Sequence, residues 1–385
     1  MLTIKLAFKN LVGAGRRAWL NIIVLSIVYV MIIFMVGMIK GVFGRMEHDT
    51  QVTEFANGQF WCVNYDPQDP INMRDFHQSY ADVKSSMKPD LTCPILLTPT
   101  TIYADGRSTP ALLKGINPEQ TVMQMETNKL LTESDFIPAM IGRKMAKTAN
   151  LALGDIITLQ VRDKNGVFDA VDAEIVYVMQ HDIQTVDAGQ VWIPLDRLQF
   201  LLGLENEASY ITVSKDFDQG INGWIFKDLD FLMADIKLLS FQKQIGAAIM
   251  NIIMLALAAL AIFDTQMLAI FRRKKEIGTL ISLGMTQRYV KMLFTIEGFY
   301  YALLGIAVGL IYGIPILYFT SKNGINYGEF AEDIGMNMGS IIYPEFSFSL
   351  ILSSTLMVAA IIMVVSYLPA RSISKLNPAQ ILKGK

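Results

Sequence analysis

The sequence contains few residues with the types and spacing that catalysis requires. The three histidines, His48, His77 and His181, belong to no H-E-x-x-H or Cys/His cluster that could bind zinc. Neither a G-x-S-x-G nucleophile motif nor a G-x-x-x-x-G-K-[ST] phosphate-binding loop occurs. The carboxylates of residues 40–244 are scattered, as on a solvated acidic surface. We therefore expect a chain that is not an enzyme, without catalytic residues, metal or cofactor.

The two cysteines, Cys62 and Cys93, both lie within residues 40–244. If this stretch is exported, its oxidising compartment permits a disulfide between them. The alternative is two unpaired, small core residues.

The segment that is richest in information begins with four consecutive bases, residues 272–275. Ile277, Leu280, Ile281 and Leu283 follow with helical spacing, which predicts a short helix with one apolar face. Such a face packs against lipid headgroups or against a partner protein, and the spacing alone favours neither.

The elements that flank this segment are long and apolar. The chain is 52% hydrophobic and only 18% charged, whereas soluble domains are about 25% charged. A helix of about 20 apolar residues crosses a bilayer, and four stretches meet this length. They are residues 20–39, 245–271 (interrupted only by Asp264), 298–321 and 346–370. The first is longer than the apolar region of a signal peptide and no A-x-A-like site follows it, so we expect a retained anchor.

Basic residues beside the spans predict the orientation, because cytoplasmic loops are enriched in Lys and Arg. Bases cluster at three places, namely Lys5, Lys9, Arg16 and Arg17; Arg272, Arg273, Lys274, Lys275, Arg288 and Lys291; and Arg371, Lys375, Lys383 and Lys385. Both termini and the segment between spans two and three are therefore expected in the cytoplasm, in a multi-pass protein of the inner (plasma) membrane. The net charge of −2 and the lack of a basic, aromatic stripe indicate no nucleic-acid partner.

These predictions give a membrane α-helical fold of four transmembrane helices, with a large mixed α/β extracytoplasmic domain inserted between helices 1 and 2. Within that domain, residues 156–161 and 173–178 are predicted strands on either side of a turn at 163–166, and residues 140–150 and 195–202 are predicted helices. The predicted boundaries are 1–19 for a cytoplasmic amphipathic helix, 20–39 for span one, 40–244 for the inserted domain, 245–271 for span two, 272–297 for a cytoplasmic coupling segment, 298–321 for span three, 322–345 for a short extracytoplasmic loop, 346–370 for span four and 371–385 for a cytoplasmic tail.

Several motifs resemble one family, the FtsX/MacB/LolC-type ABC transporter permeases. RKKEIGTLISLGM (273–285), followed by Glu297, is similar to the family's coupling segment. LAFKNLVGAGRR (6–17) resembles its amphipathic N-terminal helix, and LPARSISKLNPAQILKG (368–384) its C-terminal pattern. IGRKMAKTANLALGDIITLQV and VWIPLDRLQFLLG resemble its periplasmic module. The matches occur in order over nearly the whole chain.

The resemblance implies a pair of permease subunits that work with a separate ABC ATPase. Closure of that ATPase would move span two and the exported domain, with ATP hydrolysis supplied by another chain, as in the unfused LolC/LolE layout. The residues expected to dock into the ATPase are Lys275, Glu276, Ile277, Gly278, Leu280, Leu283, Gly284 and Met285.

The resemblance leaves three functions open. The leading one is release of lipoproteins from the inner membrane, which implies membrane lipid, a lipoprotein substrate and a periplasmic acceptor as partners. The others are MacB-like efflux of peptides or amphiphiles and FtsX-like signalling to a cell-wall hydrolase.

The spans and their ends also contain two acidic residues and several methionines for which we predict a role. Asp264 either faces a partner or a wet cavity, or lies at the interface, and Glu297 is expected to pair with a nearby base. Methionine surfaces adapt to varied apolar ligands, but methionine is also ordinary lipid-facing filler. The possible substrate contacts are Met31, Phe34, Met35, Met250 and Met254.

Overall fold

The computed structural model describes residues 16–69, 72–104, 106–179, 189–326 and 341–371. It divides into two compact units. The helical unit is built around residues up to Phe43, Leu239–Asn326 and the residues from Ile341 onward, and the inserted unit around Gly44–Leu238.

Eight α-helices run through the described residues. In chain order they are α1 (Arg16–Thr50), α2 (Arg143–Ala149), α3 (Leu195–Leu202), α4 (Leu229–Leu232), α5 (Ala234–Arg272), α6 (Lys274–Ser282), α7 (Gln287–Asn323) and α8 (Phe348–Arg371). Within the described ranges, α1, α5, α7 and α8 are the four helices long and apolar enough to cross a membrane. The predicted four transmembrane helices are confirmed.

Helices α1 and α7 approach closely because one face of α7 carries a glycine at every fourth position. These glycines are Gly305, Gly309 and Gly313. A Cβ on Gly305 would lie 2.9 Å from the Leu25 side chain, and one on Gly309 would lie 2.8 Å from the Tyr29 ring. Small residues at this spacing allow two membrane helices to pack at short distance.

Polar side chains also join the spans. Asn21 of α1 donates a 2.8 Å hydrogen bond to Thr265 of α5, and the Tyr29 hydroxyl lies 2.7 Å from that of Thr355 on α8. Such bonds stabilise helix packing in lipid, where an unpaired polar group is costly.

Gln266 on α5 connects three helices. With its amide oriented to match its surroundings, it donates to the Ser366 carbonyl and accepts from the Ser366 hydroxyl and the Gly298 N–H, each at 3.2 Å. A Cβ on Gly298 would lie 2.3 Å from the end of the Gln266 amide group, so glycine is what makes room for this contact between α5, α7 and α8.

The inserted unit is a mixed α/β domain, as predicted. The strands among the described residues are β1 (Gly58–Trp61), β2 (Gln78–Ser79), β3 (Thr92–Ala104), β4 (Arg107–Ile116), β5 (Ile137–Gly142), β6 (Ile156–Arg162), β7 (Phe168–Met179), β8 (Gln190–Pro194), β9 (Glu207–Ala208), β10 (Tyr210–Val213), β11 (Ile225–Asp228), β12 (Ile325–Asn326) and β13 (Ile341–Ile342). Nine of them form one sheet in the order β11-β1-β10-β3-β4-β8-β5-β7-β6, in which β4–β8 and β5–β7 are parallel.

The sheet closes on itself, because β6 also pairs with β3 and completes a ring of β3, β4, β8, β5, β7 and β6. One apolar cluster, which includes Leu113, Ile157 and Ile193, is formed by residues of the closed strands, α2 and α3. A second, which includes Trp192 and Tyr210, extends to β1 and β10.

The predicted secondary structure of this domain needs one correction. Strands at 156–161 and 173–178, their hairpin and the helix at 195–202 are confirmed. The predicted helix at 140–150 is wrong at its start, because Met140, Ile141 and Gly142 end strand β5 and pair in parallel with β7. Met140 and Ile141 are fully buried, and an apolar run of this kind suits a strand buried on both faces as well as a helix.

The possible disulfide is not formed, because Cys62 and Cys93 are both free and buried. Strand β10 separates them. The Cys62 N–H donates to the carbonyl of Ser209, whereas Cys93 pairs with Thr212, three residues further along β10. Two strand spacings and three residues of rise put the cysteines well over about 7 Å apart, the limit for a disulfide. They are the small core residues of the alternative prediction.

Candidate functional site

The candidate site is the segment from Arg272 to Glu297, called here the elbow, which links α5 to α7. The helical hydrogen bonds continue through the break between α5 and α6, from the Arg273 N–H to Ala269 at 3.0 Å and from the Ile277 N–H to Arg273 at 2.9 Å. Helix α6 ends in a turn in which Gly284 adopts a φ of +96°, a conformation that favours glycine. The elbow is therefore a defined helix–turn–helix element.

A small apolar cluster underlies the elbow. Its buried members come from four helices and are Ile270 of α5, Ile277 of α6, Val290 and Phe294 of α7 and Ala370 of α8. Ile281 and Met285 pack against it. The cluster fixes α6 against three of the four membrane-spanning helices.

Arg273 adds an electrostatic link to the same helices. Its Nε lies 2.9 Å from a Glu276 carboxylate oxygen, and its Nη1 lies 3.8 Å from Oε2 of Glu297 on α7. The guanidinium carbon also lies 5.7 Å from the centre of the Phe294 ring, within the range of a cation–π contact. Glu297 is only 5% exposed, so this partly buried arginine partners a buried carboxylate, as the sequence predicts.

The eight residues expected to dock into an ATPase divide into two groups. Lys275, Glu276, Leu283 and Gly284 are exposed, with 80% of Leu283 accessible. Ile277 and Gly278 are buried, and Met285 is half-buried on the cluster. The side chain of Leu280 lies outside the described part of the structure. The exposed residues can meet a partner directly, whereas Ile277 can only support the surface from below.

Sequence reasoning missed the residues that support the elbow. Val290 and Phe294 are four residues apart on α7, so their helical spacing was a usable signal. No local pattern connects Ala370 to the elbow, since it lies near the end of α8.

The residues predicted to contact substrate are spread over two helices. Met31 and Met250 are exposed, Phe34 and Met254 are half-buried against the core of the helical unit, and Met35 is half-buried. Asp264 is exposed on α5.

A second polar cluster lies in the inserted unit. Lys114 Nζ is 3.2 Å from Oε1 of Glu54, which also accepts a 3.2 Å hydrogen bond from Gln190. The ammonium group lies 4.8 Å from the centre of the Trp192 ring and 5.8 Å from that of Tyr210. Burial, and then the Glu54 carboxylate, raise the pKa of Tyr210, so its hydroxyl stays protonated at neutral pH.

This polar cluster supports a structural role. Lys114 and Gln190 both pair with Glu54 in the core, and within the described ranges no group of three or more His, Cys, Asp or Glu side chains could hold a metal ion. A buried ion pair of this kind constrains how the neighbouring elements pack.

Comparison with known proteins gives a family match over the elbow and the last three spans. Residues 248–378 match the model described as "FtsX-like permease C-terminal". An ABC transporter permease of Methanocaldococcus jannaschii is 23% identical over 282 residues, which cover 68% of this chain and 66% of that protein. The lipoprotein-releasing system transmembrane protein LolE of Haemophilus influenzae is 22% identical over 295 residues, 68% of each chain. The chain thus spans about two thirds of the length of these relatives.

Two solved structures are similar to part of this chain. The extracellular domain of YknZ from Gram-positive bacteria matches 42% of this chain and 84% of its own, at 15% identity and a TM-score of 0.27. The periplasmic region of MacB from Actinobacillus actinomycetemcomitans matches 50% and 97%, at 12% identity and a TM-score of 0.32. The family match shows an FtsX-like permease C-terminal domain in residues 248–378, and the relatives to which the chain is similar include an ABC transporter permease.

Proposed function

We propose that this chain is the membrane subunit of an ABC transporter and that a separate ATPase subunit docks on the exposed side of its elbow. The observation that carries the proposal is the division of the elbow into an accessible surface (Lys275, Glu276, Leu283 and Gly284) and a buried support centred on Ile277. A docking surface transmits force only if it is fixed to the elements that must move. Here α6 is fixed to α5, α7 and α8.

The coupling follows from this arrangement. An ATPase that closes on ATP displaces α6, and the cluster carries α5, α7 and α8 with it. Helix α5 continues without interruption from Arg272 back to Ala234, where the chain leaves the inserted domain. The proposed result is a mechanical change in an extracytoplasmic domain, driven by hydrolysis on another subunit. A second permease subunit, identical or homologous, completes the assembly.

The proposed cargo is a lipoprotein released from the inner membrane. The support is the LolE relative, which is named for a lipoprotein-releasing system and matches over 68% of both chains. Exposed apolar residues on α1 and α5, including Met31 and Met250, offer contact to a lipid-anchored substrate. The two alternative functions are efflux of a soluble amphiphile and activation of a cell-wall hydrolase.

The docking proposal is tested by ATP turnover. The full chain is coexpressed with the ABC ATPase subunits of its source cell, and copurification and ATPase stimulation are measured for wild type and Leu283→Asp. We expect the variant to insert normally but to lose the ATPase and its stimulation. Leu153→Asp is the matched control, because Leu153 is 67% exposed in the inserted unit and should leave both unchanged. Stimulation that survives Leu283→Asp would refute the docking surface.

The proposed orientation has its own test. Single cysteines replace Lys275 in the elbow and Phe200 in the inserted domain, and both positions are exposed. A membrane-impermeant maleimide applied to intact spheroplasts should label only the cysteine at 200, and lysis should add the one at 275. Labelling of position 275 in intact spheroplasts would show that the proposed orientation is wrong.

The cargo is tested by reconstitution. Proteoliposomes with the ATPase and a triacylated lipoprotein should release that lipoprotein to a soluble acceptor when ATP is added. Release of soluble peptides without lipoprotein release would favour efflux instead.

A further inference from the structure

A polar layer joins α5, α7 and α8 inside the helical unit. Its members are Gln266, which is 2% exposed, and the equally buried Gly298 and Ser366. The Gln266 amide donates to the Ser366 carbonyl and accepts from the Ser366 hydroxyl and the Gly298 N–H, each at 3.2 Å. A single buried side chain of α5 is thus bonded to two other spans.

Apolar residues flank this polar layer with the same spacing on all three helices. Each of its members has a buried apolar residue four positions before it and another four positions after it. These pairs are Ile262 and Ile270 on α5, Phe294 and Ala302 on α7, and Ile362 and Ala370 on α8. In every pair, one residue belongs to the core of the helical unit and the other to the cluster under the elbow. The polar layer therefore lies between the two apolar clusters.

This spacing determines what the polar layer adds to the packing. Residues four apart form ridges on a helix, and helices pack with the ridges of one in the grooves of another. An apolar ridge that moves by one step buries nearly the same surface, because the hydrophobic effect has no direction. The hydrogen bonds of Gln266 are directional and would be lost in such a step. One buried polar residue fixes the register of coiled coils in this way.

The polar layer lies where a displacement of the elbow has to pass. A cluster of five buried residues holds α6 against the ends of α5, α7 and α8. The larger core of the helical unit, which includes Leu255, Tyr301 and Val358, lies on the other side of the polar layer. A force on α6 therefore acts on one end of each helix, and slippage of α5 would dissipate it before it reached that core.

We propose that Gln266 is a positioning residue of the coupling path and holds α5 in one axial register against α7 and α8. The inference rests on the proposed docking of an ATPase on the elbow. With the register fixed, displacement of α6 moves the three spans as one body. Without it, α5 slips along α8 and the movement is lost between the spans.

The distance between two spin labels measures the register. The labels are attached to cysteines that replace Leu257 on α5 and Tyr367 on α8, which are 64% and 48% exposed, in a full chain whose native cysteines are alanine. Gln266 and Ser366 are in contact, and both helices run toward the elbow. The labelled positions are therefore about 15 Å apart along the helix axes. A slip of one turn, about 5.4 Å, changes their separation by about 4–5 Å.

The wild type should give one narrow distance distribution in nanodiscs, and it should stay the same with the ATPase and a non-hydrolysable ATP analogue. Gln266→Met keeps the length of the side chain but removes its hydrogen bonds, so it should add a second population displaced by that amount. The ATPase and the analogue should enlarge this population. Ser366→Ala should give a smaller second population, because the carbonyl of residue 366 and the Gly298 N–H remain.

Thermal unfolding distinguishes positioning from a contribution to stability. A hydrogen bond between membrane helices stabilises little on average, and the Ser366 hydroxyl can bond a carbonyl of its own helix instead. The unfolding midpoint of Gln266→Met should therefore lie within about 4 °C of the wild-type value. Gln244→Met is the matched control, because Gln244 is exposed on the same helix and donates to Ser240 of that helix. Its label distance and its midpoint should both equal those of the wild type.

Two results would overturn the proposal. A single wild-type distance in Gln266→Met, with and without nucleotide, would mean that apolar packing alone fixes the register. A second population of equal size in Gln244→Met would mean that the effect does not belong to the polar layer. Gln266→Leu takes the place of Gln266→Met if the latter does not fold. Because the chain alone reports the register, a wild type that bound no ATPase would refute the proposed docking and leave this test intact.

Discussion

The Arg273 guanidinium lies between Glu276 on its own side of the elbow and Glu297 on α7, with its Nη1 3.8 Å from Glu297 Oε2. One arginine thus connects the accessible surface to a buried carboxylate in span three. Because Glu297 is 5% exposed, this contact is much less screened by solvent than the exposed contact to Glu276.

The Arg273–Glu297 link predicts coupling between the two positions. Arg273→Met should lower stability because it removes a positive charge from beside a buried carboxylate. Glu297→Gln combined with Arg273→Met should be less damaging than the two separate losses added together, with a coupling energy of about 1 kcal/mol. Thermal unfolding of the four proteins in one detergent measures this cycle. Strictly additive losses would mean that the contact contributes nothing.

The glycine face of α7 predicts a steric effect. Gly309→Ala would place a Cβ 2.8 Å from the Tyr29 ring and 3.2 Å from the Ser26 carbonyl oxygen. Overpacking of this kind costs about 1–3 kcal/mol. Gly246→Ala on α5 is the control, because its Cβ would meet no atom within 4 Å and alanine favours a helix. A lower unfolding midpoint is expected for Gly309→Ala only, and equal midpoints would contradict close packing of α1 on α7.

The sequence predicted the spans because hydropathy and length are local properties of a helix in a bilayer. It could not predict the sheet order. Strands β1, β10 and β11 have four residues each, too few for a clear alternation, and they pair across more than a hundred residues. The contact of Gln266 with Ser366 was equally hidden, since each residue taken alone is an unremarkable polar side chain in a span.

The elbow illustrates the same limit. Helical spacing indicated that Ile277 and Leu283 mattered but not which of them would face inward. That depends on Ile270, Phe294 and Ala370, which come from three other helices.

The buried Ile277 and the exposed Leu283 of the elbow should differ in how much they contribute to stability. Ile277→Ala should create a cavity among four helices and cost about 2–5 kcal/mol. Leu283→Ala should change stability by less than about 0.5 kcal/mol, because the side chain is 80% exposed. Thermal unfolding without the ATPase measures both. If Leu283→Ala destabilised the isolated chain as much as Ile277→Ala, Leu283 would be part of the support and the proposed docking surface would need redrawing.

The free cysteines predict how the inserted domain responds to alkaline pH. Burial raises the pKa of Cys93 to about 12 and raises that of Cys62 as well, so neither thiol should react with a maleimide at pH 7.5 until the protein unfolds. A thiol with a folded-state pKa above its unfolded value keeps its proton in the folded chain and loses it on unfolding. Stability is therefore unaffected below pH about 8.5 and falls as the pH rises toward 12, by at most about 1.4 kcal/mol per pH unit for Cys93.

Cys93→Ala should reduce this slope. The measurement is chemical unfolding of the full chain between pH 8.5 and 10. Above about pH 10 the tyrosines of the unfolded chain ionise, and Tyr80 and Tyr210, whose pKa values are raised by burial, would add a slope of their own. Cys62→Ala should also reduce the loss of stability per pH unit.

Both variants should unfold at the same midpoint under reducing and oxidising conditions, as should the wild type, because no disulfide links the two positions. If the wild-type midpoint rose on oxidation, Cys62 and Cys93 would have formed a disulfide. That result would contradict the sheet order, in which β10 lies between β1 and β3.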